Sequence, residues 1–143
     1  PLLDVPLEPE TQWAIFEQCG QDTELFCAVI AIAEIESDFD PQMVGDSGNS
    51  IGMMQINTRW HTGRMEVLGV TDLADPVQCA AVAIDYLLEL EEITEAGPGD
   101  HRLYVGYNAG PSKAKRTSST VYSEAVMACY QAYIGEMENP ATE

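Results

Sequence analysis

Residues 22 to 37, DTELFCAVIAIAEIES, restrict the fold more than any other part of the chain. Asp22 is a suitable N-cap, because its side chain can accept from the first free amides of a helix. Beyond it, Leu25, Phe26, Val29, Ile32 and Ala33 recur at i, i+1, i+4, i+7 and i+8, the spacing of one buried face of an α-helix. The next position on that face, i+11, is Glu36. A carboxylate at the end of a core-facing stripe is costly unless it is paired or used, since burial penalises its charged form. The periodicity therefore predicts a helix running to about Ser37 and singles out Glu36 as a candidate functional residue. The competing assignment is a structural glutamate, satisfied by backbone amides or an arginine.

The remaining pattern is helical as well. Residues 10–19 form a short amphipathic helix, and Asp75-Pro76 is a cap followed by a proline suited to the first helical position. From there Val77, Ala80, Ala81, Ile84, Leu87 and Leu88 share a face, before an acidic run (Glu89 to Glu95) and the turn Gly97-Pro98-Gly99. A short helix over 100–107 is stopped by Asn108-Ala109-Gly110-Pro111. A last helix over about 119–135 spaces Tyr122, Val126, Cys129, Tyr130 and Tyr133 by three to four residues. Residues 38–50 read as a polar, glycine-bearing loop that includes Asp38 and Asp40, and IGMMQINTRWH after it reads as a short helix or turn. No alternating strand pattern is visible. The expected fold is all-α, one domain over 10–135, with 1–9 as an extended proline-bearing linker and 136–143 as a loose tail.

Charge and cysteines narrow the functional classes. The net charge is -18, and the six Lys and Arg stand only at 59, 64, 102, 113, 115 and 116. Such a surface repels nucleic acid and anionic membrane. Lys113, Lys115 and Arg116 form the one small basic cluster, either a solvated loop or a place for an anionic group. Cysteines at 19, 27, 79 and 129 form no CxxC pair and no His stands at zinc-ligand spacing, so neither metal nor cofactor is expected. Disulfides and buried thiols both remain open for them. No apolar run approaches the roughly 20 residues that span a bilayer. The proline-bearing start suggests that an export signal or anchor preceded it, so an extracellular or wall-associated monomer is expected.

Three segments carry the chemistry: Glu36-Ser37; Gly45 to Ile56 (GDSGNSIGMMQI); and Gly106-Tyr107-Asn108-Ala109-Gly110-Pro111. In this order they resemble the lysozyme-like domain of the soluble lytic transglycosylases and the related goose-type lysozymes, over about residues 10–135. The resemblance implies a substrate cleft, peptidoglycan glycan strands as partner, and Glu36 as the general acid/base. It also implies substrate-binding roles for Ser37, Asp46, Met54, Gln55, Asn57, Tyr107, Asn108 and Tyr122. By their own chemistry, Met53 and Met54 suit the core, Gln55 suits a sugar amide or hydroxyl, and Gly45, Gly48 and Gly52 suit tight turns close to a sugar. His61 suits the cleft rim.

Cleaving a glycosidic bond requires an acid that stays protonated near neutral pH, well above the ordinary Glu value of about 4.3. Most glycosidases add a second carboxylate. Lytic transglycosylation, which the resemblance favours, needs one: the substrate's own N-acetyl group assists, and a 1,6-anhydro end forms without water. Gly45-Asp46-Ser47-Gly48-Asn49 is nearer the goose-type loop, in which Asp46 would hold an attacking water. Asn57 stands where goose-type enzymes commonly carry an aspartate, and Ser118 where transglycosylases tend to carry Glu. The alternatives are therefore a hydrolysing muramidase using Asp46, or a binding module without turnover.

Overall fold

The computed structural model describes residues 2–140. Its centre is α2 (Thr23–Ser37), preceded by α1 (Pro9–Gln18). Asp22 caps α2 by accepting from the amides of Glu24 and Leu25 at 3.0 and 3.2 Å, and Asp38 ends it in the left-handed conformation. Every residue from 25 to 33 is buried, so α2 is not the one-faced helix that its stripe predicted. Cys27, Ala28, Ile30 and Ala31 fill the positions between the stripe residues, and a helix apolar all round belongs inside a core. It packs on α7 (Val121–Glu138), α4 (Pro76–Thr94) and α1.

After α2 the chain makes a small antiparallel sheet of β1 (Val44–Gly45), β2 (Ser50–Ile51) and β3 (Ile56–Asn57), in that order. Val44 pairs with Ile51 and Gly45 with Ser50; Ser50 then pairs with Asn57 and Ile51 with Ile56. Strands of two residues are too short to show a period of two, which is why no strand pattern is visible in this segment. Asn57 caps α3 (Thr58–Leu68) by accepting from the Arg59 amide at 3.0 Å. α3 is longer than the turn or short helix expected, and it buries none of its residues, so it lacks the apolar stripe that betrays a helix.

Asp75 and Pro76 start α4 as expected, and the Asp75 side chain accepts from Val77 at 3.1 Å. α5 (His101–Ala109) and α6 (Pro111–Arg116) meet at Gly110. A Cβ on Gly106 would stand 2.9 Å from Leu90 Cδ2, so glycine there lets α5 press against α4. Thr120 and Ser123 cap α7 reciprocally.

Two boundaries differ from expectation. Residues before α1 do not hang free: Leu3 is buried, and buried Gln12 accepts from the amides of Leu2 and Leu3 and donates to the Leu3 carbonyl. The Asp4 amide also reaches Glu136 of α7. α7 itself continues through Glu138, three residues into the expected tail, whose last residues, 141–143, lie outside those described. All four cysteines are free thiols. Among the described residues no helix is long and apolar enough to cross a membrane.

Candidate active site

A cleft of about 560 Å³ gathers residues from five parts of the fold. Glu36 comes from the last turn of α2; Ser50, Ile56 and Asn57 come from the sheet, and Asp46 and Gln55 from the turns between its strands. Trp60, His61 and Arg64 come from α3, with Tyr86 and Glu89 from α4 beside them. Tyr107 to Pro111 complete it from the α5–α6 turn.

Glu36 is partly buried, and the Tyr122 hydroxyl donates to its Oε2 at 2.8 Å. Burial pushes the Glu36 carboxyl above the usual range, the Tyr122 hydrogen bond pulls it down, and the charge of Asp46 pushes it up again. Burial dominates, and that is the shift an acid needs. Tyr122 does not itself line the cleft; it reaches Glu36 from α7, and its own ionisation is pushed well up by burial and by that carboxylate.

The 52–56 segment is a strap fastened through its main chain. Ser37, buried, donates to the carbonyl of Met53 at 2.7 Å and lies close to that of Ala33 at 3.2 Å. The Tyr107 hydroxyl donates to the carbonyl of Met54 at 2.8 Å. The Gln55 side chain adds to this, its Nε2 donating to the carbonyls of Met43 and Gly52 at 3.1 and 3.0 Å. Gly52 has φ +85°, and a Cβ on it would stand 2.2 Å from the Leu73 carbonyl oxygen. Glycine is therefore required there by the neighbouring 70–75 segment, not by the approach of a sugar. Asp46, Ser47 and Gln55 also have positive φ, each at a cost of about 1–2 kcal/mol. Two of these strained residues thus form the turn of the β1–β2 hairpin, where the Asp46 carboxylate accepts from the Ser50 hydroxyl at 2.5 Å.

Of the expected site residues, Glu36, Asp46, Gln55, Asn57, Tyr107 and Asn108 all line the cleft, and so does His61. Tyr122 touches Glu36 from behind. Ser37 and Met54 do not line it. Ser37 spends its hydroxyl on the strap, and the Met54 side chain is fully buried, offering only its carbonyl to Tyr107.

Trp60, Arg64, Tyr86 and Glu89 escaped the sequence reading. Arg64 pairs with Asp85 and Glu89, each at 2.5 Å, lies 5.1 Å above the Tyr86 ring and donates to His61 Nδ1 at 3.3 Å. Tyr86 packs between His61 and Tyr107, with ring centroids at 4.6 and 5.7 Å. Burial and the adjacent guanidinium hold His61 below its ordinary value, which favours neutral imidazole. A signal for these residues existed: Asn57, Trp60, His61 and Arg64 stand at i, i+3, i+4 and i+7, one helical face. Among the described residues, no group of three His, Cys, Asp or Glu could hold a metal ion.

No curated protein and no solved structure matches the chain. The family model of the Transglycosylase SLT domain matches residues 16–128, which span Glu36, the strap, the α5–α6 turn and Tyr122. With the match covering most of the chain and the helical fold agreeing, the protein belongs to the Transglycosylase SLT domain family of the lysozyme-like superfamily.

Proposed function

We propose that this protein is a peptidoglycan lytic transglycosylase that cleaves the β-1,4 bond between N-acetylmuramic acid and N-acetylglucosamine, with Glu36 as its one general acid/base. The observation that carries the reading is the environment of Glu36. It is a cleft-lining carboxyl that burial keeps protonated more readily than a free one, and a tyrosine hydroxyl fixes its orientation. Protonated Glu36 gives its proton to the glycosidic oxygen as the C1–O bond breaks. The N-acetyl oxygen of the muramic residue stabilises the cation developing at C1. The resulting Glu36 carboxylate takes the proton of the C6 hydroxyl, whose oxygen closes onto C1. Glu36 ends protonated, the product carries a 1,6-anhydro end, and no water is consumed. Peptidoglycan glycan strands are the partner, at the cell wall, and the protein acts as a monomer.

Gln55, Asn108 and Tyr107 are proposed to contact the sugar, since they line the cleft beside Glu36. Asn57 caps α3 with its side-chain oxygen, which leaves its amide hydrogens for substrate. Ser37 and Met54 act indirectly, through the strap. Asp46 is proposed as a substrate-binding group. Its presence in the same cleft, near enough to raise the Glu36 pKa, also favours a second reading, a muramidase in which it positions water.

Mass analysis of products from purified peptidoglycan separates the two. Anhydro ends are expected; reducing ends, one water heavier, would establish hydrolysis instead. Glu36→Gln should lower the rate by about 10²–10⁴-fold. Unchanged turnover by that variant would overturn the assignment of Glu36.

A further inference from the structure

α3 presents Asn57, Trp60, His61 and Arg64 to the cleft along one face. Three of the four are committed to partners. Asn57 caps the helix, and His61 and Arg64 are locked to each other, to Tyr86 and to two carboxylates. Trp60 is instead 79% exposed. α3 buries none of its residues, so Trp60 is not displaced from some poorly formed core. An indole standing in water beside a cleft leaves a large apolar plate uncovered.

The surroundings indicate what covers it. Arg64, the cationic side chain that lines the cleft here, is matched by Asp85 and Glu89, so its charge is not free for an anionic stem peptide. It offers a flat, neutral, apolar plate next to hydrogen-bonding side chains. That combination suits the C–H face of a pyranose ring with its hydroxyls turned into the cleft. We propose that Trp60 is the platform of a second sugar subsite, which binds an N-acetylhexosamine of the same strand away from the bond being broken. The inference rests on the glycan-cleaving reading of the cleft and extends it. Trp60 has no hydrogen-bonding role toward Glu36 or Tyr122, so its contribution falls on strand affinity and on the strand length the enzyme prefers.

The chain has two tryptophans, and the other, Trp13, lies on α1 against Phe16. Trp13→Phe therefore leaves Trp60 as the sole indole reporter. In a Trp13→Phe, Glu36→Gln protein titrated with peptide-free glycan strands, Trp60 emission is expected to shift blue and saturate, with tighter binding for longer strands. In the otherwise wild-type enzyme, Trp60→Ala should raise KM for long strands roughly tenfold, with little change in kcat, and the effect should shrink as strands shorten. Trp60→Phe should recover most of the affinity, because a smaller ring still stacks. Melting of Trp60→Ala near the wild-type temperature, expected for so exposed a residue, excludes misfolding as the cause. Cleavage by a protein whose Trp60 emission stays unmoved at saturating strand, or a Trp60→Ala loss in kcat alone, would overturn the subsite and leave the reaction standing. A wild-type protein that neither binds nor cleaves glycan strands would remove both.

Discussion

Replacing Tyr122 by phenylalanine removes one hydroxyl and, with it, the 2.8 Å hydrogen bond to Glu36 Oε2. That bond stabilises the carboxylate over the acid, so it holds the Glu36 pKa down against the larger effect of burial. Hydrogen bonds to charged groups contribute about 1.5–3 kcal/mol. Glu36 is only partly buried and lines the cleft, where solvent can replace part of the loss, so the low end applies. At about 1.36 kcal/mol per pH unit, 1.5 kcal/mol moves the alkaline limb of kcat/KM up by roughly one pH unit. The alkaline limb is the relevant one, because it reports loss of the proton that the acid must donate.

Asp46→Asn supplies the opposite sign. The negative charge of Asp46 raises the Glu36 pKa, so its removal should move the same limb down, by less, since it is the smallest of the three effects. Both variants are assayed by clearing of purified cell walls across the pH range, with the limb fitted separately from the maximum. A fall in the maximum alone says nothing about proton affinity. A Tyr122→Phe limb that stays put or moves down, in a protein that melts like the wild type, would refute the assignment of Glu36 as the titrating acid.

Four further outcomes follow from the packing. The folded-state pKa of Glu36 is raised, so its contribution to stability is complete below the unfolded pKa and lost as pH rises through the folded value; Glu36→Gln should melt roughly 2–5 °C higher than wild type at neutral pH, with the gap closing in acid, checked by thermal denaturation at several pH values. Gly52→Ala puts a Cβ into the Leu73 carbonyl at a positive φ and should cost about 3 kcal/mol or more, read from denaturant titration. Ser37→Ala leaves the Met53 carbonyl without its buried donor and should cost about 1–3 kcal/mol by the same titration, with kcat falling as the strap loosens. Burial pushes the thiols of Cys19 and Cys27 up to about 12 and that of Cys79 up to about 11, so alkylation at mildly alkaline pH should run about a hundredfold or more slower than in the unfolded chain, with partly exposed Cys129 reacting first by mass mapping.

How much of this arrangement was legible depended on the length of the signal each element offers. α2 and α4 declare themselves, because long apolar runs behind an aspartate cap leave few alternatives, and Glu36 stood out as the polar residue that ends such a run. α3 and the sheet did not, the one because it buries nothing and the other because two-residue strands have no period. The pairing of Tyr122 with Glu36 spans 86 residues of sequence, and neither the helical pattern nor the family resemblance, which gave Tyr122 a substrate-binding role, pointed to it. Ser37 and Met54 show a different limit. Their place in the motif was visible, but the motif does not say which atoms act. The strap from Gly52 to Gln55 receives Ser37 of α2 at the Met53 carbonyl and Tyr107 of α5 at the Met54 carbonyl. The two methionine side chains face the core. The motif is thus a main-chain brace between two helices, set by one glycine that nothing larger can replace. Its two methionine side chains anchor the brace in the core, and its carbonyls hold the helix end of Glu36 in register with the tyrosine wall of the cleft.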